Sequence, residues 1–254
     1  MVAQIEHLSV SVPGVRAVRW SSDALHSGIK ECYSIGRVES GLSQWWGGGK
    51  VWNMEPGSLK LQQPGDVFRD IARDGPGSHL VIMLPTSSVE GLTGRVRLQP
   101  QLAAGDPRGA PFQRLHAAVC RGAERFELDV VLTEAITALQ GVGGACLERS
   151  RSVRLALDFL HERLVEVFTL DDLAKHAELD KFHLCRAFRR QIGMPPHAYL
   201  TQLRIMRAKE LLAAGRRPAE VAPLVGLYDQ SQLNRHFRRI VGTTPGRYAA
   251  EARR

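Results

Sequence analysis

The 254-residue sequence predicts a two-domain protein: an N-terminal all-β barrel with appended helices, then an all-α domain of two helix-turn-helix units joined by a long helix. Three observations predict it. Residues 180–199 recur at 229–248, where Asp180, Leu184, Arg186, Phe188, Arg189, Arg190, Gly193, Pro196 and Tyr199 return 49 positions later as Asp229, Leu233, Arg235, Phe237, Arg238, Arg239, Gly242, Pro245 and Tyr248. Self-similarity at a fixed period marks one supersecondary unit used twice. The net charge of +8 is confined to that part of the chain: residues 1–150 carry 15 basic and 15 acidic side chains, residues 151–254 carry 19 and 11. A polyanion-binding module requires such a concentration. The third observation is the β texture of residues 1–100, short apolar runs broken by Gly, Pro and Ser.

In order along the chain, residues 32–38, 58–62 and 79–84 are strand candidates. Glu55-Pro-Gly-Ser and Gln63-Pro-Gly-Asp are turns, with Pro pre-setting φ and Gly supplying the positive φ that follows. Many short strands with such turns suggest a small barrel or jelly roll over residues 1–100. Residues 91–109 form an irregular connection. Helical periodicity then covers 111–119 and 123–140, the second with Leu128, Leu132, Ala135 and Leu139 at 4-3-4 spacing. That stripe packs either against its own barrel or against the same helix of a second subunit; residues 110–141 are assigned as a dimerisation segment, which makes a homodimer the expected state. Gly141-Val-Gly-Gly opens a linker over 142–151.

The basic domain, 152–254, begins with a helix over 152–164 capped by Ser152. The first helix-turn-helix unit spans about 169–192: Thr169 caps a short helix with Asp171 and Asp172 in its first turn, and an arginine-bearing helix follows. In that helix Leu184 and Phe188 form an apolar stripe, and Gly193 stands where a C-terminal stop belongs. A long helix over 196–214 leads to the second unit at about 218–241. Pro223 lies inside its short helix and is expected to delay the start to about Glu220 or to kink it.

Several function classes are disfavoured. Cys32, Cys120, Cys146 and Cys185 show neither CxxC nor metal-ligand spacing, so reduced thiols are expected. The histidines of the first half, His7, His26, His79 and His116, are scattered and make no His-x-His pair. No nucleophile–base arrangement stands out, so no enzyme, cofactor or metal is expected. The sequence holds neither an apolar run of membrane-spanning length, a signal peptide, nor a basic amphipathic helix with an aromatic face; the expected location is the cytoplasm, with no membrane partner.

The C-terminal hundred residues resemble the AraC/XylS family of bacterial transcription regulators. The resemblance is carried by Leu173-Ala174, by Leu184-Cys-Arg-Ala-Phe-Arg-Arg-Gln-Ile-Gly193 with Pro196 and Tyr199, by Arg204, Arg207-Ala and Leu211-Leu212, and by the run from Val225 to Tyr248. Leu227 stands where the family usually has Phe. The first half resembles, more loosely, the cupin-like sensor domain often fused to this unit, through the run from Tyr33 to Gly41 and the two Pro-Gly segments. The resemblance implies double-stranded DNA and RNA polymerase as partners and a small-molecule effector in the cupin-like barrel. Two alternatives are a DNA-binding regulator whose N-terminal domain serves only dimerisation or partner binding, and, from a different class, a cupin enzyme, which the missing metal ligands disfavour.

On the first arginine-bearing helix Phe182, Cys185, Arg186 and Arg189 align opposite the apolar stripe; on the second, Ser231, Asn234, Arg235 and Arg238 do, flanked by Gln230 and Gln232. Arg reads guanine bidentately, Gln and Asn read adenine, and apolar groups meet thymine methyls. By resemblance, Phe182, Cys185, Arg186, Gln230, Ser231, Gln232 and Arg235 are base-edge candidates, with Asn234 beside them. Lys181, Arg189, Arg190, Arg238 and Arg239 are phosphate clamps. All four tryptophans, Trp20, Trp45, Trp46 and Trp52, lie in the first half. Tyr33, Trp45, Trp52 and Phe68 are the effector-binding candidates, although aromatic side chains also fill the interiors of small barrels. Phe68, where related sensors often carry His, argues for an apolar or aromatic effector over a metal-held or strongly anionic one.

Overall fold

The computed structural model describes residues 4–144 and 149–252. Cys146 and part of the expected linker lie outside them. The chain divides into two compact units, Met1–Leu147 and Glu148–Arg254.

The first unit is an eight-stranded antiparallel sheet with helices on one face. Its strands are β1 (Gln4–Leu8), β2 (Arg16–Ser22), β3 (Ser27–Ile29), β4 (Tyr33–Gly47), β5 (Lys50–Met54), β6 (Leu59–Gln62), β7 (Val67–Leu84) and β8 (Gln101–Leu102). They follow the order β1-β2-β7-β4-β6-β8, with β3 added to β7 and β5 to β4. The Pro-Gly turns form as the sequence indicates: Gly57 and Gly65 have φ of 92° and 83°, and each turn is closed by a backbone hydrogen bond, Ser58 N–H to Glu55 and Asp66 N–H to Gln63.

Two strands are far longer than their short sequence runs. β4 and β7 stay paired from Tyr33↔Leu84 to Gly47↔Phe68 because register shifts at Val38/Ser40, Ser40/Leu42 and Gln44/Trp45 let the ladder bend without breaking. Gly41, with φ of 83°, sits at the bend, where an added Cβ would come within 2.9 Å of the Gly77 Cα.

Strand alternation divides this sheet into two faces. Tyr33, Ile35, Leu59, Leu61, Leu80 and Ile82 enter the main apolar core together with side chains from α2 (Ala110–Cys120) and α3 (Arg125–Ala138), which follow a short helix α1 (Thr86–Thr93). The stretch around α1 carries β-textured residues and was expected to be irregular or β; it is helical and buries Val89. Leu128, Leu132, Ala135 and Leu139 all lie in this same core. The 4-3-4 stripe thus packs within its own unit, the first of its two expected uses: about one apolar residue per turn along a helix face serves a domain's own sheet as much as a coiled-coil seam. The face of α3 left exposed carries Phe126 and Val130 instead.

The glycine-rich segment after α3 is also part of the unit rather than linker. Val142 is buried, Gln99 N–H donates to its carbonyl, and Gly144 N–H donates to Arg97 O. A Cβ on Gly144 would stand 2.8 Å from Leu98 O, so the glycine permits close backbone approach.

The second unit is helical: α4 (Arg151–Glu162), α5 (Leu170–His176), α6 (Lys181–Ile192), α7 (Pro196–Ala213), α8 (Pro218–Leu224), α9 (Gln230–Val241) and α10 (Pro245–Ala252). Ser150, rather than Ser152, caps α4, accepting from Val153 N–H. Thr169 and Asp172 form a reciprocal capping box at the start of α5. α8 begins at Pro218, two residues before the expected Glu220; Pro223 is the penultimate residue, so the ring costs one hydrogen bond in the final turn and the helix ends there. α7 is the long helix that separates the two copies of the repeat.

Candidate nucleic-acid interface

Most of the repeated residues turn out to be scaffold. Asp180 accepts from the N–H groups of Phe182 and His183 at the start of α6, and Asp229 accepts from Gln232 N–H at the start of α9. Such caps satisfy donors that the first helical turn leaves free. Gly193 and Gly242 close the two helices in the left-handed region, with φ of 94° and 85°. Leu184, Phe188, Leu233 and Phe237 are fully buried, each worth about 1.5–3 kcal/mol of apolar transfer. Pro196 and Pro245 begin the next helix, and their Tyr partners return to the stripe: Tyr199 meets Phe188 edge-on at 5.6 Å and Tyr248 meets Phe237 at 5.4 Å.

Once those positions are assigned, three of the nine identities have no packing role. Arg186/Arg235, Arg189/Arg238 and Arg190/Arg239 are exposed on both helices. Arg189, Arg190, Arg238 and Arg239 lie in the last turn, where the helix dipole favours cations. Arg239 reaches His236 Nδ1 at 3.2 Å; among the described residues the other five have no side-chain partner. Elsewhere in the chain arginines are commonly paired, as Arg151 with Glu178 and Arg247 with Glu251.

The non-identical positions differ in chemistry at matched places. Phe182 of α6, 72% exposed, corresponds to exposed Ser231 of α9. Half-buried Cys185 corresponds to half-buried Asn234, and exposed Lys181, 3.3 Å from Asp171, corresponds to exposed Gln230. Gln232 is partly used by the fold, its side-chain oxygen accepting from Tyr228 N–H at 2.7 Å. Tyr228 is a residue that sequence reasoning missed: 93% exposed, it shares a shallow depression with Ser231, Gln232 and Arg235. Its signal was an aromatic residue directly before a helix cap, where no core position is available.

The effector candidates separate in the first unit. Trp45 and Phe68 line a cavity of about 260 Å³ on the sheet face opposite the main core. Tyr33 does not: it faces the main core, with its hydroxyl 3.3 Å from Glu90. Trp52 packs beside Trp45 and Phe68 and donates to Gly47 O, outside the lining. The cavity also recruits residues that the sequence reading did not single out for it, among them Lys30, Lys60, Asp70 and Arg73. The alternation Leu59-Lys60-Leu61-Gln62 could have flagged Lys60, because it places Lys60 and Gln62 on one face and the leucines on the other. His26 and His79 stand on the wall with Trp20. Among the described residues no helix is long and apolar enough to cross a membrane.

Residues 173–251 match the helix-turn-helix domain family. The HTH-type transcriptional regulator YbfI of Bacillus subtilis (strain 168) is 41% identical over 219 residues, covering 79% of this chain and 78% of that protein. The transcriptional activator NphR of a Rhodococcus species is 26% identical over 263 residues, covering 96% and 78%. Among solved structures, wild-type ToxT from Vibrio cholerae with an unsaturated fatty acid bound shares the fold at a TM-score of 0.50 and 9% identity, covering 95% of this chain and 97% of that one.

Proposed function

The chain belongs to the AraC/XylS family of DNA-binding transcriptional regulators, and from that membership we propose that it reads a bipartite DNA site under the control of a small molecule held in its N-terminal cavity. The observation that carries the DNA reading is the pair of twelve-residue helices, each with a buried Leu-Phe stripe and an open row of arginines. In this proposal α5–α6 and α8–α9 are two helix-turn-helix units. Arg186 and Arg235 contact base edges, with Phe182, Cys185, Gln230, Ser231, Gln232 and Asn234 beside them. Lys181, Arg189, Arg190, Arg238 and Arg239 hold phosphates. The 18 residues of α7 extend about 27 Å, which approaches one turn of DNA at about 34 Å. One chain thus has the reach to address two successive major grooves without a second copy.

The cavity supports the regulatory half of the proposal, on a bent sheet of the cupin-like kind. ToxT, a protein of the same fold, is known with a fatty acid bound, so regulators of this architecture do take organic ligands. An effector acts by binding one arrangement of the two units more tightly than another; equal affinity for both would shift nothing. RNA polymerase is the proposed further partner. The relatives are regulators, and no catalytic reaction is proposed.

Selection of bound fragments from a random duplex pool with the full chain tests the DNA reading. Two conserved half-sites separated by about one helical turn are expected. Recovery of unrelated sequences, with binding governed by salt alone, would overturn it.

A further inference from the structure

The N-terminal cavity carries a charge imbalance. Its lining includes three side chains that are cationic in water, Lys30, Lys60 and Arg73, and one carboxylate, Asp70. Asp70 is already engaged: Arg73 Nη2 donates to it at 2.7 Å and the backbone N–H of His26 at 3.2 Å. The Lys60 ammonium stands 3.9 Å from the Trp45 ring centroid and 4.8 Å from that of Phe68, while Lys30 stands 5.1 Å from Phe68. Two ammonium groups therefore share one aromatic ring as a platform. The wall also holds donors without acceptors: Gln62 Nε2 and Arg73 Nε are buried with no partner among the described residues. Arg73 has only 6% of its side chain exposed.

Withdrawing cations and amide donors from water without an acceptor is costly. Such groups persist where a ligand supplies what is missing. The apolar part of the lining, Trp20, Trp45, Met54 and Phe68, offers flat faces rather than a long channel. A volume of about 260 Å³, against the roughly 150 Å³ that admits benzene, suits one ring with a short side chain.

We propose that this cavity binds a small organic carboxylate with a compact aromatic or alicyclic body, its anionic head held by Lys60 and Lys30 and its body against Trp45 and Phe68. The proposal rests on the reading of the cavity as the effector site and adds the chemistry of the effector. It also reverses the expectation drawn from Phe68. In place of a histidine, Phe68 does not make the site neutral; it forms the floor on which two ammonium groups rest.

Proton linkage provides a second signature. Desolvation lowers Lys60 to about 7 and lowers Lys30 as well. The titratable and charged groups facing Lys60 are Lys30, Arg73 and Asp70, with His79 held at about 4 and His26 also lowered by burial. A bound carboxylate favours the charged ammonium, so binding takes up a proton near neutral pH. Affinity then falls as pH rises above 7.

Isothermal titration of the full chain with benzoate, phenylacetate and cyclohexanecarboxylate, beside benzamide, methyl benzoate and benzylamine, tests the proposal. The acids are expected to bind at least about tenfold more tightly than their neutral counterparts. Lys60→Met keeps the aliphatic stem and should cost the acids at least about tenfold in affinity. It should also abolish proton uptake, read from the buffer dependence of the heat. Lys50→Met, whose ammonium lies over Trp52 away from the lining, should change neither. If Lys60→Met fails to fold, Lys30→Met tests the affinity arm, and should likewise weaken the acids and not their neutral counterparts. Tighter binding of the amide or ester than of the acids would overturn the carboxylate assignment while leaving an effector site in place. No heat from any compound at roughly 10 mM would remove both.

Discussion

The arginines at matched positions have different tasks, and single substitutions separate them. Arg186→Ala and Arg235→Ala should each cost about 1–3 kcal/mol of binding and relax preference in one half-site only. Arg190→Ala, in the last turn of α6, should weaken all sequences alike and flatten the salt dependence by about one phosphate contact. Titrations of the variants against the selected site and against random duplex distinguish the two behaviours. If Arg186→Ala loses equally on both, Arg186 is a phosphate contact. The buried histidines of the first unit make a separate prediction about pH. Burial holds His79 at about 4 and His116 at about 3, against about 6.5 in an unfolded chain. Below about 6.5 the unfolded chain binds protons that the folded one refuses, so stability should fall as pH drops from about 6.5 toward 4. Melting curves across that range should show the slope, and His116→Leu should reduce it. The arginine positions were legible from the repeat alone, because a basic residue kept twice off an apolar stripe has no packing reason to be there. Lys30 and Lys60 were not legible as a pair, since they come from a loop and a strand that only the folded sheet brings to one ring.

Helices and strands differed in how plainly they announced themselves. α6 and α9 carry their own caps, stripes and stops, and α5 its capping box, within a few residues of sequence, so local chemistry is enough to delimit them. Asp229→Ala removes one such cap and should cost about 1 kcal/mol of stability in the second unit, measurable by urea denaturation of the full chain. β4 and β7 could not be delimited that way. Their continuity depends on bulges and on the close approach of Gly41 to Gly77, which are properties of a pair of strands. α3 shows the same limit from another side. Its stripe of Leu128, Leu132, Ala135 and Leu139 has one periodicity and two structural uses, and burial in the unit's own core decides between them. Leu132→Asp should therefore unfold the first unit, since a buried unpaired carboxylate costs several kcal/mol. A folded monomer from that variant, seen by circular dichroism and sedimentation, would restore the stripe as a subunit seam.

At the scale of the molecule the two units have separate cores, and one cooperative structure in each is the expected consequence. A fragment of residues 149–252 should bind the selected DNA with little loss but show no response to a carboxylate that shifts the full chain. Gel-shift titrations with and without benzoate provide the measurement. Equal response by fragment and full chain would place the ligand site in the helical unit. The sequence by itself determined the second unit and its partner: caps, stops, apolar stripes and excess charge are short-range features, and a 49-residue repeat multiplies their weight. Only the tertiary structure decided the chemistry of the first unit's cavity. Alternation along a strand says which residues share a face, but which strands adjoin, and whether water covers that face, depend on long-range pairing. Lys60 between two leucines looks solvated in the sequence, and it becomes a desolvated cation only when β4, β7 and their aromatic residues close around it.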